Sequence, residues 1–168
     1  MNTYKATKQD ALIAFASTAP GVILPIELNS NHPGIIAQKG AFLCAEKGVK
    51  TEVTLTKKFG AGLFGGEGFV LQDITGSGTV FLEIDGDMME KELKPGETIL
   101  VDTGNVVCFE KTCKYEIETV KGVKNVLFGG EGLFLTKLVG PGKIVLQTQN
   151  LHEFASRITS FLPKTSNW

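Results

Sequence analysis

Leu63-Phe64-Gly65-Gly66-Glu67-Gly68 returns in the same chain as Leu127-Phe128-Gly129-Gly130-Glu131-Gly132. Downstream the identities continue at Leu71/Leu135, Gly76/Gly140, Gly78/Gly142 and Leu82/Leu146. Upstream they run back through Lys57/Lys121, Glu52/Glu116, Lys50/Lys114, Lys47/Lys111, Glu46/Glu110, Cys44/Cys108, Gly40/Gly104 and Ile35/Ile99. Residues 35–82 therefore recur as 99–146, at a constant offset of 64 and without an insertion. A match of this length means one supersecondary unit used twice. It divides a single domain, 1–168, into a partial N-terminal repeat (1–19), two repeats (20–83 and 84–147) and a C-terminal helix and tail (148–168).

Inside the repeat the pattern is that of short strands. Val80, Leu82 and Ile84 share one face of Thr79–Ile84, a period of two that suits a half-buried strand, and Lys143–Leu146 is expected to do the same. Lys94-Pro95-Gly96-Glu97 has the chemistry of a type II turn, with proline presetting φ and glycine supplying the positive φ that follows. Gly76-Ser77-Gly78 and Gly140-Pro141-Gly142 mark matching breaks. Many short strands between such breaks predict an all-β sandwich or barrel. The C-terminus differs: Leu151, Phe154, Ala155, Ile158, Phe161 and Leu162 recur at helical spacing after Asn150, and Pro163 ends the run. This amphipathic helix is expected to pack as a lid on the β-body. The segment Tyr4–Phe15 aligns with Leu71–Leu82, which predicts an N-terminal strand over Ala11–Ala16.

With 168 residues, 42% hydrophobic and 21% charged, the chain is long enough for one substantial core. A formal charge of -1 and a lone arginine, Arg157, make nucleic acid an unfavoured partner. Cys44, Cys108 and Cys113 form no Cys-x-x-Cys pair. Cys44 and Cys108 sit in apolar runs and read as small buried hydrophobes in a reducing compartment. Ala11–Ala16 is too short and too close to Asp10 for a secretion signal, no run reaches the ~18 apolar residues of a membrane helix, and the expected location is cytoplasmic.

Few groups here carry chemistry. Gly60-Ala61-Gly62-Leu63-Phe64-Gly65 matches the dinucleotide pattern G-x-G-x-x-G, but a strand rather than a helix follows, and Lys124 and Val126 replace two glycines in the second copy. Gly65, Gly66 and Gly68, with Gly129, Gly130 and Gly132, are read instead as a tight entry into a strand. Glu67 and Glu131 are paired carboxylates of the sort that run glycoside hydrolysis when suitably spaced, and their structural alternative is to accept hydrogen bonds from the glycine N–H groups. Lys57, Lys58, Lys121 and Lys124 flank these loops and are read as solvated side chains, the alternative being a modest anion-attracting rim. His32 and His152 are the only histidines and have no partner at metal spacing. The expectation is no catalytic residue, no metal and no cofactor.

The Leu-Phe-Gly-Gly-Glu-Gly strings, Glu92–Thr98 with Val101–Gly104, and Gly140–Lys143 resemble the altered inheritance of mitochondria protein 24-like family over roughly Tyr4–Ile158. That resemblance implies a double-stranded β-helix-like sandwich, similar in fold to the trp RNA-binding attenuation protein. It implies mostly uncharacterised bacterial members, fungal members linked to mitochondrial inner-membrane organisation, and no established catalytic residue. Typical members carry a further Gly-Gly-Glu repeat before the position of Tyr4. The chain is thus expected to be a scaffold or interaction protein, either a homo-oligomer or completed by a protein partner. RNA binding, by analogy of fold, and a ligand or substrate site at Glu67 and Glu131 are the competing expectations.

Overall fold

The computed structural model describes residues 2–57, 69–119 and 134–162. The described residues are mostly antiparallel strand. The first half of the chain runs β1 (Gly21–Leu28), β2 (Ile35–Gln38), β3 (Phe42–Ala45), β4 (Val49–Lys57), β5 (Phe69–Gly76) and β6 (Gly78–Asp85). The second runs β7 (Met88–Leu93), β8 (Thr98–Asp102), β9 (Val106–Glu110), β10 (Lys114–Thr119), β11 (Phe134–Val139) and β12 (Gly142–Gln147), followed by helix α1 (Leu151–Thr159). Single 3-10 turns at Lys39–Ala41 and Thr103–Asn105 separate β2 from β3 and β8 from β9.

Three sheets result, ordered β1-β6-β3, β4-β5-β2-β9-β12-β7 and β10-β11-β8. Within the first half the pairings are β1-β6-β3 and β4-β5-β2, and within the second they are β7-β12-β9 and β10-β11-β8. One ladder, β2 with β9, joins the halves by pairing Ile35 with Glu110, Ile36 with Phe109 and Ala37 with Cys108. The six-stranded sheet lies between two cores. Leu28, Val80, Leu82 and Ile84 pack with Ala37, Val107, Cys108 and Val145 on one face. Ile36, Leu71, Val106, Phe109, Ile144 and Leu146 pack with Leu138 on the other, with Ile99 and Val101 partly buried against them.

Period two describes β6, where Val80, Leu82 and Ile84 are fully buried and Phe81 and Glu83 are not. It fails for β12. Ile144, Val145 and Leu146 are consecutive and all buried, because this central strand faces a core on each side and a bulge shifts its register between Val145 and Leu146. The Lys94–Glu97 turn forms as expected: Gly96 has φ +78, and Glu97 N–H donates to Lys94 O at 2.9 Å. The Glu97 carboxylate accepts from Lys94 N–H at 3.0 Å, and Lys91, 2.8 Å away, holds its pKa below the usual range.

Gly78 (φ +127) and Gly142 (φ +147) adopt backbone that other residues rarely take. Each turns the chain out of one sheet into another, and each is locked by a glutamate. Glu46 accepts from Thr79 N–H at 2.7 Å, and Glu110 accepts from Lys143 N–H at 2.9 Å.

Three expectations need correction. Residues 11–16 form no strand and join no ladder, and Leu12 is 92% exposed, since the segment meets the β-body through side chains along a groove rather than through its backbone. Helix α1 forms, but Leu151, Phe154 and Ile158 on its apolar face are exposed, so it is not a packed lid. Cys44 is half-buried while Cys108 is 1% exposed, because β3 ends its sheet whereas β9 is flanked on both sides.

Candidate interaction surface

Gly65, Gly66, Glu67 and Gly68, their counterparts Gly129, Gly130, Glu131 and Gly132, and Lys58, Lys121 and Lys124 lie outside the described residues. So do the side chains of Lys57 and His152. The strands that flank the motifs are described: Lys57 pairs with Phe69, and Thr119 with Phe134. Each Gly-Gly-Glu segment thus connects two paired antiparallel strands.

His32 has a structural partner. His32 Nδ1 accepts from Gly34 N–H at 3.0 Å, fixing the turn into β2. His32 also borders a crevice of about 230 Å³ with Glu27, Glu90, Glu110 and Lys143. Among the described residues no group of three His, Cys, Asp or Glu side chains has the arrangement to hold a metal ion. Burial raises the pKa of all three thiols, that of Cys108 to about 12, so thiolate is scarce at neutral pH.

Apolar surface is the larger feature. A groove of about 950 Å³ runs between β3 and the N-terminal segment, lined by Tyr4, Ile13, Phe15, Phe42, Cys44 and Phe81 among others. Tyr4 and Phe15 stack edge to face across it, with ring centres 5.8 Å apart. Thr18 anchors this segment through two bonds to the Glu83 carboxylate, 2.7 Å from N–H and 3.0 Å from the hydroxyl. On the opposite half, β8 also ends its sheet. Its Leu100 is 54% exposed. Val22, Ile23 and Val53 add exposed apolar side chains on β1 and β4.

The turn Thr103–Asn105 is tied to β2 by one side-chain bond and to β11 and β12 of its own half by four. Gln38 Nε2 on β2 donates to Thr103 O at 2.8 Å. The Thr103 hydroxyl donates to Phe134 O at 2.9 Å and accepts from Thr136 Oγ1 at 3.0 Å. Gln147 Nε2 donates to Gly104 O at 2.9 Å, and Asn105 Nδ2 donates to Gln147 O at 2.8 Å. Beside it Lys111 reaches over β2 to Asp73, at 2.6 Å. Sequence reasoning overlooked these residues and the open edges at Phe42–Ala45 and Thr98–Asp102. The exposure of Leu100 has no signature in a strand whose copy in the first half is buried.

A family model described as mitochondrial biogenesis AIM24 matches residues 1–149. An uncharacterized protein of Streptococcus pyogenes serotype M6 is 30% identical over 159 residues, covering 94% of this chain and 62% of the relative. The crystal structure of protein SPYM3_0169 from Streptococcus pyogenes superposes with a TM-score of 0.72 at 26% identity, covering 88% of this chain and 63% of that one. The chain therefore spans less than two thirds of the length of the relatives it matches. Among the described residues no helix is long and apolar enough to cross a membrane.

Proposed function

We propose, since the chain belongs to the mitochondrial biogenesis AIM24 family, that it is a non-enzymatic scaffold or interaction protein working through its β-surface as an oligomer. The observation that carries this reading is the apolar groove beside β3, along which Ile13 and Phe15 are exposed, and separately the exposed Leu100 on the edge strand β8. Contiguous apolar surface of this kind marks binding sites in soluble proteins. The body that presents it is read as a double-stranded β-helix-like sandwich built from tandem units of ~64 residues. The like-for-like strand pairings of the two halves support this. So do the matching Glu46 and Glu110 contacts. The non-enzymatic part is supported by thiols held protonated and by a histidine engaged with its own turn.

Sedimentation across roughly 1 to 100 µM tests the reading, because association follows mass action. A mass that rises above the 18.1 kDa of one chain is expected. A constant monomer mass overturns the oligomeric scaffold. Retention of single-stranded RNA that weakens with salt would replace it by nucleic-acid binding.

A further inference from the structure

Inside the chain, β9 adds to the outer edge of β2. The counterpart of β2 is β8 and the counterpart of β9 is β3, and among the described residues each of these has a free edge: β8 pairs only with β11, and β3 only with β6. We infer, building on the oligomeric reading above, that a second copy of this chain docks head to tail, its β3 adding to β8 in the register that joins β2 to β9.

The internal ladder fixes that register. It sets Ile35 opposite Glu110, Ile36 opposite Phe109 and Ala37 opposite Cys108. Carried to the free edges, it sets Ile99 opposite Glu46, Leu100 opposite Ala45, and Val101 opposite Cys44. Burial follows the same logic. Ile36, inside the internal ladder, is 7% exposed, and Leu100 in the matching place is 54% exposed. Cys108 is buried and Cys44 is half-buried. These are the side chains that a further strand would cover. Neither β3 nor β8 carries the lysine or proline that usually blocks an edge, and the one charge, Asp102 at the end of β8, accepts from Gly104 N–H at 2.9 Å. The N-terminal segment along the groove holds no ladder to β3, so it does not occupy the backbone groups the second copy needs.

One contact does not carry over. Lys111 and Asp73 clamp the internal junction at 2.6 Å, and their counterparts are Lys47 and Lys137. The docked copies bring two lysines together at the rim, where like charge weakens association without abolishing it. Lys137 pairs with Glu116 across its own sheet, which offsets part of that repulsion. The association is therefore weak in the natural sequence. Because the two edges differ, it builds rings or filaments rather than closed two-fold dimers.

The test uses the full chain with Val101→Cys. Directly opposed residues have Cβ atoms ~4.5–5.5 Å apart, and a small shift brings them within disulfide reach. Mild oxidation is expected to give a series of covalent multimers joined through Cys44, abolished by adding Cys44→Ser. Lys137→Asp restores the charge of Asp73 and is expected to tighten association roughly 3- to 10-fold. Leu100→Lys, at a side chain already exposed, is expected to remove both the crosslink and the association. Circular dichroism of each variant establishes that it is folded. Multimers by mass without the Cys44 crosslink, or no tightening with Lys137→Asp, overturn the edge pairing and leave the oligomeric scaffold standing. A monomeric mass with no crosslink overturns both.

Discussion

Cys44 and Cys108 stand at matching sequence positions, yet one is half-buried and the other is 1% exposed with its pKa pushed up to about 12. A thiol reagent in the native state is expected to label Cys44 first and Cys108 only on unfolding. Equal rates at both would show β9 to be as open as β3. Asp85, at the end of β6, has its pKa raised mainly by burial and further by Glu83, against the lowering effect of a hydrogen bond from the backbone N–H of Leu151. A raised carboxyl favours the folded state below its unfolded pKa, and that favour is lost as pH rises through the folded value. Asp85→Asn is thus expected to raise the melting temperature at about pH 7 and to give no gain near pH 3. The gain is small because the group is largely solvated. A melting temperature that shifts equally at both pH values would refute the assignment.

At the scale of elements, the turn Thr103–Asn105 concentrates side-chain bonding, most of it within the second half. Thr103→Val removes the bond to Phe134 O and strips Thr136 of its partner, at a cost of about 1–3 kcal/mol for the buried group left unpaired. The double variant with Thr136→Val is expected to recover part of that loss, since neither hydroxyl is then stranded. Denaturant unfolding of the three proteins measures it, and additive losses would contradict the pairing. Legibility varied with the environment of each element. β6 and the Lys94–Glu97 turn were readable because one face, or one proline and glycine, decides them. β12 was not, because a strand between two cores loses its alternation. The apolar spacing of α1 gave its helix but not its exposure, since periodicity reports a face and says nothing of what covers it. The recurring Gly-Gly-Glu segments lie outside the described residues, between paired strands, whereas the open edges are at β3 and β8, where no unusual residue stands.

For the whole molecule, both cores draw side chains from both halves. Val107, Cys108 and Val145 complete the packing on β1-β6-β3, and Ile36, Phe69 and Leu71 complete the other face. Neither half has a closed core without the other. A single cooperative transition is expected in calorimetry, with the calorimetric and van't Hoff enthalpies equal. Two resolved transitions would mean that the halves fold independently.

The shared cores also bear on how the chain is made. Every ladder among β1–β6 closes within residues 21–85, so those strands are available for pairing while the rest is still in the ribosome. Their apolar faces must wait for β9 and β12. At synthesis rates of ~5–20 residues per second, the second half takes roughly 3 to 12 s to emerge. For that interval the nascent chain presents an open sheet and the bare edge of β2 to the cell, an edge that β9 covers only once it has emerged.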